Sequence, residues 1–389
     1  MYNFDDIAKR RNTYSLKWDV KNNELPMWVA DMDFKCCDVI TKAIKDRADI
    51  GAYGYSDVPD RYFDSYVSFW RDRHNVILEK EDMIFSLGVV PSLSTCVRSL
   101  TKVAERVVIL TPVYNIFFNS IYNNGRYIIE IPLGYKNGEY NINYSALEEE
   151  LKNPQTTLLI LCNPHNPVGR IWTREELTRI GHLCNKNNVT IVSDEIHCDI
   201  VRENKSYTSF YSLDDECKNN SVVLLSATKC FNMAGIHSSI AVIHNRVLRH
   251  KFNRELNNSE CAEGNFFSFE PVIAALNEGR VWLDEVNKYI DNNFKYYYDF
   301  IKNNIPDAKA IKEDATYLAW LDISNITEDD IELQKFIRED TGLYVTEGSE
   351  YGKAGKGFLR INLATSLENV QNGLKRLKKG IENYRKRLQ

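Results

Sequence analysis

A lysine and two hydroxyl side chains follow directly on a short apolar run in the middle of the chain. The run Val222 to Leu225 is typical of a strand buried in a parallel sheet, and Ser226, Thr228 and Lys229 come next. Ligands of α/β proteins bind at the carboxyl edge of the sheet, where this turn would lie. Ser226 and Thr228 can donate hydrogen bonds to a phosphate, and Lys229 can form a Schiff base once its amine is neutral. A surface lysine after an ordinary strand would show the same short pattern.

Two further apolar runs end in polar groups of complementary chemistry. Leu158 to Leu161 leads into the amide-rich turn Asn163 to Gly169, and Val189 to Val192 leads into Asp194. An acid at the carboxyl end of a strand can face a cofactor nitrogen. Three predicted strands therefore end in an amide-rich turn, an acid and a lysine.

The motifs NPHNPVG, SDEIH and SATK, in this order and at these separations, resemble the pyridoxal-phosphate (PLP) enzymes of the aspartate aminotransferase fold. The stretches WVADMDF, TYLAWLD and EYGKAGKGFLRINLA resemble one group among them, the cystathionine β-lyases of the MalY/PatB type and the related cystalysin. The resemblance extends over nearly the whole chain. It implies an α/β fold of the PLP-transferase type, with a mainly parallel seven-stranded sheet between helices and a smaller α+β domain at the C-terminus.

The resemblance and the change of pattern along the chain together predict three regions. Residues 1–45 would form an arm that joins the small domain at the active-site entrance. Residues 46–275 would form the large PLP-binding domain, in which strands and helices alternate from Val107 to Ile243. Residues 276–389 would form the small domain, which is dominated by long helices.

The resemblance also implies a role for individual residues. Lys229 would hold PLP covalently and later move the Cα proton, Asp194 would pair with the pyridine nitrogen, and Asn166 would bond the phenolic oxygen. Tyr114 would stack on the cofactor ring. The implied phosphate ligands are Ser226, Thr228, the amides of Val89 and Val90, and Tyr55 from the partner subunit. The implied substrate contacts are Arg360, Ala30 and Asn166.

The sequence supports a specific role for Arg360 more clearly than for His197. Arg360 alternates with Leu359 and Ile361 in an apolar strand, and its fork can grip a substrate α-carboxylate through two parallel hydrogen bonds. His197 would support the phenolic oxygen or the Asp194 carboxylate, and a packed core histidine explains it nearly as well.

One position departs from the pattern of many aminotransferases. Many aminotransferases carry a phosphate-binding arginine shortly after the lysine. In this chain the same position is occupied by His237. Phosphate anchoring must then rest on the other groups. The lyase group also tends to lack this arginine, so the departure favours a lyase over a transaminase.

Composition agrees with a large enzyme. The chain has 389 residues, a net charge of −5 and nine cysteines with no metal-like spacing. These features predict a cytoplasmic protein with reduced thiols, no metal and no general affinity for nucleic acid, and no apolar run is long enough to span a membrane. The family resemblance adds a homodimer.

The sequence thus predicts a PLP-dependent carbon–sulfur β-lyase. It would cleave L-cystathionine or related cysteine S-conjugates to a thiol, pyruvate and ammonia. An aminotransferase on the same scaffold is the alternative. A PLP-binding regulator that acts through a protein partner is a third reading, and the intact Lys229, Asp194 and Arg360 argue against it.

Overall fold

The computed structural model describes residues 2–388. Its helices are α1 (Asp38–Ala48), α2 (Asp60–His74), α3 (Val89–Leu100), α4 (Ile116–Tyr122), α5 (Tyr144–Leu151), α6 (Arg174–Lys186), α7 (Asp215–Asn219), α8 (Arg246–Asn258), α9 (Glu270–Glu278), α10 (Arg280–Asn304), α11 (Asp330–Thr341) and α12 (Leu367–Leu388). Its strands are β1 (Leu25–Pro26), β2 (Met83–Ser86), β3 (Arg106–Thr111), β4 (Tyr127–Pro132), β5 (Gly134–Lys136), β6 (Glu139–Asn141), β7 (Thr156–Cys162), β8 (Thr190–Asp194), β9 (Ser221–Leu225), β10 (Ser239–Val242), β11 (Lys309–Ala310), β12 (Leu318–Asp322), β13 (Leu343–Tyr344), β14 (Thr346–Glu347) and β15 (Phe358–Asn362).

The largest sheet has seven strands in the order β2-β10-β9-β8-β7-β3-β4. Only β10 runs antiparallel to its neighbours, and the pairs from β9 to β4 are all parallel. The predicted mainly parallel sheet of an α/β fold is therefore confirmed. The non-consecutive order requires crossover connections, which the intervening helices supply.

Both faces of this sheet are buried, because alternate residues of each strand enter different cores. Leu158 and Ile160 pack in the core that includes α3, α4 and α8, whereas Leu159 and Leu161 pack in the larger core on the other face. Burial on both faces explains why these strands read as continuous apolar runs rather than alternating ones.

Thr173 and Glu176 have the spacing of a capping box, and helix α6 begins at one. The hydroxyl of Thr173 accepts from the amide of Glu176 at 3.2 Å, and the Glu176 carboxylate accepts from the Thr173 amide at 2.9 Å. Helix α1, in contrast, was not predicted. It begins inside the stretch that the sequence suggested was an arm.

The C-terminal part contains a second sheet, antiparallel throughout, in the order β11-β12-β15-β14. The N-terminal stretch joins this part of the chain, since β1 pairs with β13 through Leu25 and Leu343. Arg360 lies in β15, opposite Trp320 of β12 and Thr346 of β14. The division of the chain at residues 45 and 275 stays a prediction. Within residues 2–388, no helix is both long and apolar enough to cross a bilayer.

Candidate active site

The three motif strands are neighbours in the sheet, and their carboxyl ends meet. Cys162 at the end of β7 pairs with Asp194 at the end of β8, and Asp194 pairs with Leu224 of β9. The turns that follow β7 and β9 therefore project on either side of Asp194. This geometry places Asn166, Asp194 and Lys229 around one space.

That space is a cavity of about 370 Å³. The predicted site residues that line it are Ala30, Val89, Val90, Tyr114, Asn166, Asp194, His197, Thr228 and Lys229. Further lining residues include Gly88, Cys162, Ile196, Ala234, His237 and Ser238. The cavity is thus closed by the N-terminal stretch, the start of α3, and the turns after β3, β7, β8 and β9.

Lys229 is half-buried, and its ammonium group donates to the carbonyl oxygen of Ala30. Burial lowers the pKa of Lys229 to about 8, an effect that the Asp31 and Asp194 carboxylates partly offset and the Arg360 charge reinforces. A lysine in this range exchanges readily between the ammonium form and the neutral amine. Only the neutral amine is a nucleophile or a base.

Asp194 is buried and has little compensation for its charge. One carboxylate oxygen accepts from the amide of Ile196 at 3.1 Å, and Asp194 forms no ion pair within residues 2–388. Burial raises the pKa of Asp194 to about 7, and the charge of Glu195 adds to this effect. A protonated ring nitrogen in the cavity would pair with the carboxylate and lower the energetic cost of burying its charge.

The neighbouring acid, Glu195, has a different environment. Its carboxylate accepts hydrogen bonds from Ser193 Oγ at 2.8 Å, Ser209 Oγ at 2.7 Å and the amide of Phe210 at 2.8 Å. It does not line the cavity. Of the two consecutive acids in SDEIH, only Asp194 is available to a ligand.

Arg360 is buried beside the cavity and has donors to spare. Its Nη2 donates to the carbonyl oxygen of Trp28 at 2.8 Å, and its Nη1 lies 3.5 Å from Asn166 Oδ1. Its Nε is buried and has no hydrogen-bond partner among the described residues. The guanidinium also lies 4.7 Å from the ring centre of Tyr351. A buried cation with unused donors next to Asn166 is suited to bind a carboxylate.

The start of α3 and the turn after β9 offer neutral donors to the cavity. Helix α3 begins at Val89 without a side-chain cap, so its first amides are free to bind an anion. The preceding Gly88 has φ +143°, a conformation that side chains rarely adopt. Thr228 lines the cavity, whereas Ser226 lies behind it, with its hydroxyl 2.7 Å from Thr228 Oγ1 and 2.7 Å from the Ser238 carbonyl.

The chain matches the family model of aminotransferase class I and II over residues 25–377. It belongs to the aminotransferase class I and II family. It is 40% identical to cystathionine beta-lyase PatB of Bacillus subtilis over 97% of this chain and 99% of that protein. The solved structure of cystalysin from Treponema denticola, which contains pyridoxal 5'-phosphate, superposes with a TM-score of 0.95 at 33% identity, over 99% of this chain and 100% of that one. A PLP-bound putative aminotransferase from Clostridium difficile 630 superposes with a TM-score of 0.95 at 36% identity, over 98% and 100% of the two chains. The predicted resemblance to the PLP enzymes, and to the lyase group among them, is confirmed.

Tyr55 does not reach the cavity of its own chain in this family member. Its side chain is fully exposed, and Tyr53 is 61% exposed. The contribution of Tyr55 to a partner's site stays a prediction, which this exposure leaves open.

His197 lines the cavity but makes no bond to Asp194. Its Nδ1 is buried and has no partner among the described residues, and its ring centre lies 6.0 Å from that of Tyr317. Burial, reinforced by Lys229 and Arg360, lowers the pKa of His197 to about 3. His197 is therefore a neutral imidazole. The sequence suggested two roles for His197. For one of them, support of the Asp194 carboxylate, the structure shows no hydrogen bond.

Sequence reasoning missed Asp31, although it flagged the WVADMDF stretch around it. Asp31 forms a bidentate pair with Arg10, at 2.5 and 2.6 Å, and its charge acts on Lys229. Asn362 fixes the backbone here by donating to the carbonyl oxygens of Val29 at 2.6 Å and Asp31 at 2.7 Å. The available signal was an acid directly after Ala30, which the resemblance had placed at the substrate.

Proposed function

We propose that this protein is a PLP-dependent carbon–sulfur β-lyase that acts on L-cystathionine and related cysteine S-conjugates. The observation that carries the proposal is the full-length match to PatB, at 40% identity over 97% of the chain. The cavity agrees with it, because Lys229 and the buried acid Asp194 line a space of about 370 Å³, and the buried Arg360 contacts Asn166 in its wall.

The residues present fit the cofactor. The uncompensated carboxyl of Asp194 suits a pyridine nitrogen, Lys229 suits the aldehyde carbon, and the uncapped start of α3 suits a phosphate. Asn166 would bond the phenolic oxygen, and Tyr114 would stack on the ring. When bound, PLP supplies an electron sink that makes the Cα proton of an attached amino acid removable.

The chain's own residues then determine the outcome. Arg360 binds the substrate α-carboxylate and orients the amino acid. Lys229 takes the Cα proton, and the thiolate leaves from Cβ. L-Cystathionine and one water thereby give homocysteine, pyruvate and ammonia. Without a leaving group at Cβ, return of the proton to another carbon would give transamination instead.

An aminotransferase activity is the second candidate. One solved relative with 36% identity is described as a putative aminotransferase, so the scaffold alone does not select the reaction. His237, at the position where many aminotransferases carry arginine, favours the lyase.

We also propose that the protein is a cytoplasmic homodimer. All nine cysteines are free thiols, which suits a reducing compartment. The exposed aromatic side chains of Tyr53 and Tyr55 would find partners across a subunit interface.

The deciding experiment compares two reactions of the purified, PLP-loaded protein. Pyruvate release from L-cystathionine is measured with no keto acid present, and transamination of alanine and aspartate is measured with 2-oxoglutarate. The proposal expects elimination to be much the faster reaction. Faster transamination, with elimination only a trace, would overturn the lyase assignment and leave the family assignment intact.

A further inference from the structure

A short turn between β14 and β15, Gly348–Tyr351, contacts the residues on both sides of the cavity-lining Tyr114. The carbonyl oxygen of Tyr351 accepts from the amide of Val113 at 3.0 Å, and the side-chain amide of Asn115 donates to Glu350 Oε1 at 2.5 Å. Tyr114, which lies between these two contacts, lines the cavity. Glu350 is therefore held beside the cavity mouth by the residue that follows Tyr114.

Two carboxylates near this mouth differ in whether a cationic side chain neutralises their charge. Asp31 is neutralised by its bidentate pair with Arg10. Glu350 makes no ion pair with a lysine, arginine or histidine anywhere in residues 2–388. Glu350 is exposed at this point, and the groups that favour its ionised form are the side-chain amide of Asn115 and the more distant charge of Arg360. The unpaired carboxylate of Glu350 would therefore stabilise a cationic group of a ligand that lies beside it.

The bound substrate has one free end. With the α-carboxylate on Arg360 and Cα at Lys229, the sulfur substituent is the part left to extend along Tyr114 to the rim. We propose that Glu350 is a specificity-determining residue that selects cysteine S-conjugates whose sulfur substituent ends in a cationic amine. L-Cystathionine, whose distal end carries an ammonium group beside a carboxylate, offers the same cationic group. The inference rests on the proposed β-lyase function and adds the substrate class.

Three substrates of similar size isolate the charge at that end. S-(2-aminoethyl)-L-cysteine ends in an ammonium group, S-propyl-L-cysteine is its neutral counterpart, and S-(2-carboxyethyl)-L-cysteine ends in a carboxylate. Elimination from the first, with one water, gives cysteamine, pyruvate and ammonia. The holoenzyme should show the highest kcat/KM for the ammonium substrate and the lowest for the carboxylate one.

The test variant is Glu350→Gln, which removes the charge and keeps an oxygen that can accept from Asn115. It should lower kcat/KM for the ammonium substrate by about 3- to 10-fold, between the worth of an exposed ion pair and that of a charge-assisted hydrogen bond. The loss should lie in KM, because the distal charge is remote from the bonds that break. The kcat/KM of this variant for the propyl substrate should stay within about 2-fold of the wild-type value.

The control is Glu339→Gln, an equal charge change on the exposed face of α11. It should leave all three substrates unaffected. If Glu350→Gln leaves the ratio of ammonium to propyl substrate as in the wild type, Glu350 does not select the substituent and the inference is wrong. That outcome is distinct from failure of the lyase assignment, in which none of the three substrates would release pyruvate.

Discussion

Replacing Arg360 with lysine tests whether the fork geometry, and not the charge alone, binds the substrate. Nη2 of Arg360 donates one of its two hydrogens to the Trp28 carbonyl and keeps the other available. Nε has no partner among the described residues, and Nη1 makes only a 3.5 Å contact with Asn166, so either can act beside Nη2. A substrate carboxylate can therefore form two charge-assisted bonds. A lysine keeps the charge and supplies one such bond at most in this geometry.

The expected magnitude follows from this count. Arg360 is only 6% exposed, so solvent screening offers little relief. Losing one charge-assisted hydrogen bond costs about 1.5–3 kcal/mol, which predicts a fall of about 10- to 150-fold in kcat/KM for L-cystathionine. The assay is steady-state pyruvate release.

A matched control is Arg338→Lys. Arg338 also forms a fork with a carboxylate, Glu24, at 2.8 and 3.2 Å, and it also lies over an aromatic ring, that of Tyr344 at 3.4 Å. Unlike Arg360, which contacts the cavity-lining Asn166, Arg338 contacts Glu24 and Tyr344, neither of which lines the cavity, so its replacement should affect stability and spare KM. If Arg360→Lys keeps kcat/KM within about 3-fold of the wild type while the cofactor spectrum is unchanged, a bidentate carboxylate grip is refuted.

Three further perturbations test the cofactor, the assembly and the core. Lys229→Ala should lose the visible absorbance of covalently held PLP and nearly all turnover, and cofactor still fixed to that variant by borohydride would contradict the assignment of Lys229. Mixing Tyr55→Phe with Lys229→Ala protein should generate hybrid dimers with one intact site, so activity that stays at the level of the parents despite proven subunit exchange would count against the partner's Tyr55. Burial raises the pKa of Glu313 from 4.5 to about 8, so the folded protein retains a proton that the unfolded chain loses, and stability falls as the pH rises between these values. Glu313→Gln removes this loss, and its advantage in thermal midpoint should grow from about pH 5 to about pH 8; a constant difference would show that Glu313 is not protonated in the fold.

The three strands that carry the motifs could be predicted because each is an apolar run between polar boundaries. The predicted run Leu158 to Leu161 lies in β7 (Thr156–Cys162), and the predicted run Val222 to Leu225 lies in β9 (Ser221–Leu225). The carboxyl-edge rule then brought Asp194 and Lys229 into one cavity without knowledge of side-chain positions.

Contacts between distant loops could not be predicted in this way. Glu350 and Asn115 are 235 residues apart, and no periodicity links them. The choice between Asp194 and Glu195 is another case. Asp194 ends β8, and Glu195 follows it directly. Only the hydrogen bonds from Ser209 and Phe210 show that the carboxylate of Glu195 is already bound by protein groups.

The phosphate end of the cavity links the missing arginine to assembly. Within residues 2–388, the groups that face this end are the amides at the start of α3, the hydroxyl of Thr228 and the ring of His237. None of them is a permanent cation, so the doubly charged phosphate would be held by neutral donors and the helix terminus. An additional donor has more effect in such a site than in one that contains an arginine. The partner's Tyr55 is the predicted donor, and on this reasoning the retention of PLP should depend on dimer formation more strongly here than in family members that keep the arginine.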